Sequence, residues 1–353
     1  MYKRQQNLYT IVETTVNSLK ELGAEPFIVS AMGSHGGGTE EGQREVLAGY
    51  GITEERLGVP VVTTVDTVYL GNCANGRPVW FDRAAYEADL IVPINRVKLH
   101  TDFVGPIQSG LCKMLVIGLG NHKGCSAVHE EAPEVFAGAI EETARLILQK
   151  APVGFGIAIL ENAYDKTYAV EAVPAEHLVE REKELVQIAK GNMPYIMLDE
   201  ADVIVCGAIG KDISGAGFDP NILGRSSVLK QFVLHIPRYQ RLVLCDVTPA
   251  SHGNGIGVGL FDVITKKVAE QLDLESMYAN AIACNCLGDA SVPCTVDDEE
   301  TAIRVALKCC RNIDRDHPRI IRIQNTLHLG EIEVSEALLD AVRADSRMSL
   351  IEN

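Results

Sequence analysis

The chain holds 353 residues, 46% apolar and 23% charged, and 48 acidic against 32 basic side chains give a formal charge of −16. That length asks for two domains, and that apolar share is enough to bury a core in each. A charge of this sign repels phosphate backbones and anionic lipid, so neither nucleic acid nor a membrane is an expected partner; a small anion in a locally basic cleft is compatible.

The 10 cysteines contain no CxxC pair, which excludes the usual zinc-ribbon and thioredoxin-like arrangements. Their irregular spacing, mostly inside apolar runs, fits small buried side chains in a reducing cytoplasm. No apolar run approaches the ~20 residues of a membrane span, and no signal-peptide pattern opens the sequence.

From residue 5 the periodicity predicts an amphipathic helix, with Leu8, Ile11, Val12, Val16, Leu19 and Leu22 on one face and Gly23 as its stop. An α/β domain usually sets a strand before such a helix. None is visible, so the chain is expected to be an N-terminally truncated form of a longer one. Residues 26–31 read as a strand, 40–48 as a helix, 60–64 as a strand, 89–94 as a buried strand and 114–117 as a further strand. Pro133 opens a long helix to about residue 149, because proline at the first helical position gives up no needed N–H. Strands at 154–160 and 168–173 follow, then a charged, exposed helix over 176–190.

Punctuation at 191–194 suggests an N-terminal domain, 1–195, and a C-terminal α/β domain, 196–353; the resemblance described below makes the first the catalytic and cofactor domain and the second the one that closes over the cleft. The second carries strands at 202–206, 242–246 and 320–324 and helices at 261–272, 299–310 and 335–342. The expected fold class is α/β: two α/β lobes with mostly parallel sheets and an active-site cleft between them. Ligands of such sheets bind beyond the carboxyl ends of the strands. The run Glu87-Ala88-Asp89-Leu90-Ile91-Val92 ahead of Lys98 is echoed by Glu200-Ala201-Asp202-Val203-Ile204-Val205 ahead of Lys211.

Three segments carry chemistry. Gly33, Ser34, His35 and Gly36 lie in a glycine-rich turn between a strand and a helix, where backbone approaches a ligand and helix N–H groups attract an anion. The plain alternative is a tight turn with a surface histidine. Next, Asn95-Arg96-Val97-Lys98-Leu99-His100 offers Arg, Lys and His at a strand end, a set able to hold a carboxylate and move a proton. A solvated loop with a stray basic cluster is the alternative. In Ser109-Gly110-Leu111-Cys112-Lys113, the lysine sits between a glycine turn and an apolar run, where burial lowers an amine's pKa and makes it nucleophilic. Phosphate recognition is the milder alternative, although the spacing is not that of a P-loop. His129 reads either as a metal ligand or as a residue opening the next helix.

Taken in order, these residues resemble the nickel-pincer-dependent lactate racemase family. The resemblance is carried by His35 in Gly33-Ser34-His35-Gly36, by His100 ahead of Ser109-Gly110-Leu111-Cys112-Lys113, by Lys113 itself and by His129 beyond it. It implies a racemase or epimerase of a lactate-like 2-hydroxy acid. The implied cofactor is a nickel-pincer nucleotide, a Ni2+-bearing pyridinium-3,5-dithiocarboxylic-type mononucleotide. Lys113 would tether it, His129 would bind the metal, and Gly33, Ser34, Gly36, Ser109 and Gly110 would surround it. His35 and His100 would be the acid–bases on opposite faces of the substrate while hydride leaves C2 and returns. Arg96, Lys98 and Lys211 would grip the carboxylate.

The implied partners are the 2-hydroxy acid and cofactor-biosynthesis proteins, with homo-oligomerisation undecided. Departures mark a divergent branch. His100 and Lys113 stand further apart than in the lactate enzymes, Pro106 interrupts the loop, and an early arginine-bearing turn for the cofactor phosphate is missing. Gly210-Lys211-Asp212-Ile213-Ser214-Gly215-Ala216-Gly217-Phe218-Asp219 replaces the tyrosine- and glutamine-containing run of the C-terminal lobe. Asp212, Asp219 and His252 are further cleft candidates. Three rival readings stand beside this one: a metal-independent enzyme with a glycine-rich phosphate site acting on a sugar phosphate or nucleotide, an iron–sulfur protein using Cys284, Cys286 and Cys294, and a non-catalytic binding module.

Overall fold

The computed structural model describes residues 7–351, and the chain divides into two compact units between Met193 and Pro194. The first unit opens with the helix Leu8–Glu21, whose Val12 and Val16 pack with Ile52, Leu57 and Val59. Residues 5 and 6 of the expected helix lie outside the described residues. Leu22, expected on its apolar face, is 84% exposed because the helix ends before it. β1 (Ile28–Val29) and β2 (Val61–Val62) pair in parallel. β3 (Thr67–Asn72) and β4 (Pro78–Asp82) form an antiparallel hairpin. β5 (Ile94–Arg96) runs parallel to β6 (Phe155–Glu161), which pairs antiparallel with β7 (Thr167–Pro174). The α/β class holds, but this unit's strands are split among three small sheets.

Two expected strands of this unit are corrected. At 89–94, Leu90 is 51% exposed and Ile91 makes only a single bridge, to Val153; ladder pairing starts at Ile94. At 114–117 there is no strand: the helix Leu111–Lys113 runs on as a π-helix, Met114–Gly118, with Leu115 and Val116 buried. A short apolar run reads alike as core strand or core helix, and here the core is helical. The long helix starts at Phe136, not at Pro133, and ends at Lys150. With the helix Leu178–Asn192 it encloses a core of Leu111, Leu115, Ile140, Ile147, Ile159, Leu178 and Leu185.

The second unit is built on one six-stranded sheet. β8 (Val203–Cys206), β9 (Arg241–Leu244), β10 (Val263–Thr265), β11 (Cys294–Val296), β12 (Ile320–Ile323) and β13 (Ile332–Val334) stand in the order β11-β10-β9-β8-β12-β13. Every pairing is parallel except β12 with β13. The helix Glu299–Lys308 lays Ala302 and Ala306 on Val203, Val205, Val243 and Val263. The helix expected at 261–272 is instead β10 followed by the helix Lys266–Gln271, because β-branched Val263, Ile264 and Thr265 take the sheet and Thr265 then caps the turn. Among the described residues no helix is long and apolar enough to cross a membrane.

Candidate active site

The loop after β5 is closed at its base. Lys98 N–H donates to the Ser109 carbonyl at 2.9 Å and Ser109 N–H to the Lys98 carbonyl at 3.2 Å. Inside the loop, the buried Gln108 accepts the His100 N–H at 2.8 Å and donates to the Gly105 carbonyl at 3.2 Å, while Phe103 and Ile107 are buried. This closure brings His100 Nε2 onto Lys113 Nζ, on the helix that starts just past the loop.

The protons in that contact are constrained. His100 Nδ1 accepts the Asp102 N–H at 3.1 Å, so the neutral ring carries its proton on Nε2. Nε2–H can donate to Lys113 only when the amine holds a lone pair. Burial pushes Lys113 down to about 8. Burial, then the charges of Lys113, Lys98 and His129, hold His100 well below the usual histidine range. Two cations face to face are disfavoured, and a neutral amine is a nucleophile.

A continuous path of side chains leads from this pair to His129. The His100 ring stacks on Phe103 with centroids 4.3 Å apart, Phe103 meets Phe136 at 4.8 Å, and Phe136 meets His129 edge-on at 5.1 Å. His129 closes the helix Asn121–His129, and its Nδ1 stands 2.7 Å from the Cys125 carbonyl and 3.5 Å from Cys125 Sγ. With Nδ1–H donated to the carbonyl, the lone pair stands on Nε2, the arrangement that orients a metal-binding imidazole. Hydrogen bonding to Cys125 raises His129 against the opposing effect of burial. Burial pushes the Cys125 thiol up, but its contacts with His129 and Ser34 outweigh this and hold it below the usual range.

Cys125 Sγ also lies 3.7 Å from Ser34 Oγ, which joins the glycine-rich turn to the same path. Gly33 takes a left-handed φ of 61°, and a Cβ there would stand 2.9 Å from the Ile117 carbonyl, so only glycine seats the turn against the π-helix. Gln43, fully buried, donates to the Gly33 carbonyl at 3.1 Å and accepts Ser30 Oγ–H at 2.6 Å. It fixes the turn that exposes Ser34 and His35. Sequence reading assigned Gln43 no role. Its signal was a lone amide on the inward side of the helix Glu40–Gly49. Thr39 caps that helix, and Glu40 and Glu41 fill its first turn, charges that repel a phosphate at this N-terminus.

Other expected site residues lie elsewhere. Arg96 pairs with Glu161 on the neighbouring β6, at 7% and 9% side-chain exposure, so its guanidinium already has a carboxylate partner. Lys211 belongs to the second unit, where its ammonium donates to the Gly215 carbonyl at 2.7 Å and to Asn280 Oδ1. In the same unit Asp212 accepts the Thr248 hydroxyl, Asp219 caps the helix Pro220–Leu223, and His252 takes a left-handed φ of 48° in a turn. Cys286 is buried while Cys284 and Cys294 are exposed. Among the described residues no three or more His, Cys, Asp or Glu are grouped to hold a metal. His129 offers one imidazole donor, which fits a metal whose remaining donors come from a bound group.

Residues 2–137, which include His35, His100, Lys113 and His129, match the lactate racemase N-terminal domain. No curated protein matches the sequence. Among solved structures, the lactate racemase apoprotein from Thermoanaerobacterium thermosaccharolyticum is similar at 14% identity, over 92% of this chain and 82% of that one, with a TM-score of 0.53. A crystal structure of a protein from Thermotoga maritima is similar at 14% identity over 69% of this chain, with a TM-score of 0.47, and the match spans 64% of that protein's length. Residues 2–137 thus carry a lactate racemase N-terminal domain, and the chain shares the α/β fold of the apoprotein.

Proposed function

We propose that the chain interconverts the C2 stereoisomers of a small 2-hydroxy acid, using a nickel-pincer nucleotide tethered to Lys113. The observation that carries this reading is the contact of Lys113 Nζ with His100 Nε2 inside the family-matched domain. It joins an amine fit for covalent attachment to an imidazole fit for moving a substrate proton. When bound, the group supplies a reversible hydride acceptor. Lys113 would hold it through its amine, and His129 would offer Nε2 to the nickel.

Attachment of the group through the Lys113 amine would remove a charge that, after burial, is one of the causes that depress His100. His100 and His35 are the two acid–bases, on separate loops, for substrates that present their hydroxyls differently; His100 takes a proton on Nε2 once its ring proton has moved to Nδ1 and the Asp102 N–H contact is given up. Lys98, whose charge bears on His100, is the cation this reading assigns to the substrate carboxylate. Cofactor-biosynthesis proteins are the partners, and the cytoplasm the compartment, that this reading assigns to the chain.

The test is to express the chain with those biosynthesis proteins and nickel, then supply single enantiomers of 2-hydroxy acids deuterated at C2. The expected result is a mixture of enantiomers by chiral chromatography with deuterium retained at C2. Washout of deuterium into water would point to proton abstraction and contradict the hydride reading. Absence of stereoisomer exchange across the series would contradict the assigned activity.

A further inference from the structure

We propose that Glu182 is the positioning residue that sets the Lys113 amine against His100, acting through the backbone that opens the lysine's helix. This rests on the reading of Lys113 as the attachment point. The helix Leu178–Asn192 buries Leu178, Val179, Leu185, Val186 and Ala189, and on the same stripe Glu182 is 0% exposed. A carboxyl group in an apolar stripe is unfavourable unless its neighbours compensate it, and a filler role alone would suit leucine better.

The compensation comes from the backbone that opens the lysine's helix. Glu182 Oε2 accepts the Cys112 N–H at 2.8 Å, and Oε1 has no hydrogen-bond partner. Gly110 makes room for this: a Cβ there would stand 2.6 Å from Glu182 Cδ and 2.7 Å from Oε1. The preceding peptide is held by Asn95, whose Nδ2 donates to the Gly110 carbonyl at 2.9 Å. That carbonyl also takes the Met114 N–H at 3.0 Å. Lys113 thus leaves a turn gripped at its amide end by Glu182 and at its carbonyl end by Asn95. Burial pushes the Glu182 carboxyl up to about 7, with the amides of Cys112 and Leu111 acting against it. The Ser-Gly-Leu-Cys-Lys segment therefore needs its glycine for the carboxyl group packed behind it, and the acid is part of what aims the lysine.

The experiment uses the full chain without cofactor. Lysines are labelled competitively with acetic anhydride across a pH series, and Lys113 is compared with the exposed Lys266 by peptide mass spectrometry. Wild type should show Lys113 gaining reactivity near pH 8. Glu182→Gln keeps an accepting oxygen and should retain that profile. Glu182→Leu should slow Lys113 labelling at pH 8 by tenfold or more, on the order of a one-unit rise toward the ordinary lysine value. Gly110→Ala, which displaces the carboxyl group from the other side, should reproduce the Leu result even if one variant folds poorly. A folded Glu182→Leu or Gly110→Ala protein with the wild-type Lys113 profile would overturn the proposal, as would a Gln variant that behaves like Leu. Loss of the cofactor reading would show only in the mass of loaded protein, so the two failures are distinct.

Discussion

Two runs of the chain share one pattern, Glu-Ala-Asp, three aliphatic residues and a lysine beyond, at 87–98 and 200–211. In the second unit the aliphatic residues enter β8, buried at every position and flanked by β9 and β12. Asp202 is 1% exposed there and accepts the Arg319 N–H at 2.8 Å and its guanidinium at 2.9 Å. In the first unit Asp89 and Leu90 are exposed, and β5 is only three residues long with β6 as its single neighbour. An apolar run becomes a long strand where strands on both sides take its amides and carbonyls. Where they are missing, chain is released into a loop. The second unit uses the pattern to build a sheet, and the first uses it to launch the loop that joins His100 to Lys113.

The sharpest break in this comparison is at the loop. His100→Ala should lower stereoisomer exchange about 10²- to 10⁴-fold, the usual contribution of a positioned acid–base group, while Lys113 still carries its modification by mass. Equal loss of modification would show that the imidazole serves attachment instead.

Glu182 gives the next effect. Its folded pKa, about 7, lies above the ordinary carboxyl value of 4.5, so between these the native state binds more protons and stability falls as pH rises. The full span is worth about 3 kcal/mol. His100, depressed when folded, gives the opposite slope over part of that window. The comparison is therefore wild type against Glu182→Gln in urea melts at pH 5 and pH 7.5. The wild type should lose more stability between them, and parallel behaviour would remove the buried-acid account.

The strand comparison itself predicts unequal costs for one substitution. Asp202→Ala should destabilise by about 2–3 kcal/mol, since it strips charged hydrogen bonds from a buried site. Asp89→Ala should stay within about 0.5 kcal/mol, as exposed positions do. Equal costs in denaturant melts would mean that the two runs are not handled differently.

Much of the site was legible in the sequence because it is local: a strand end, a basic cluster and a glycine-bounded lysine lie close along the chain. The meeting of His100 with Lys113 follows from closing one loop, and the strands β8 and β12 announce themselves by β-branched residues and β9 by a short aliphatic run. What escaped was non-local. Residues 114–117 carry no periodic mark that separates a buried helix from a buried strand. The β3–β4 hairpin was missed although Asn75-Gly76 offers a turn dipeptide between its apolar runs. Glu182 was read with the exposed charges of its helix, although its place on the stripe with Leu178, Leu185 and Val186 put it inside. Its use depends on Gly110, far away in the sequence, and that pairing emerges only when the two elements are packed.

The most direct test of the central claim is the intact mass and nickel content of chain expressed with the cofactor-biosynthesis proteins and nickel, with peptide mapping beside Lys113→Ala. The account predicts added mass on Lys113, near-stoichiometric nickel, and loss of both in a variant that still folds. An unmodified Lys113 in protein without nickel would contradict it.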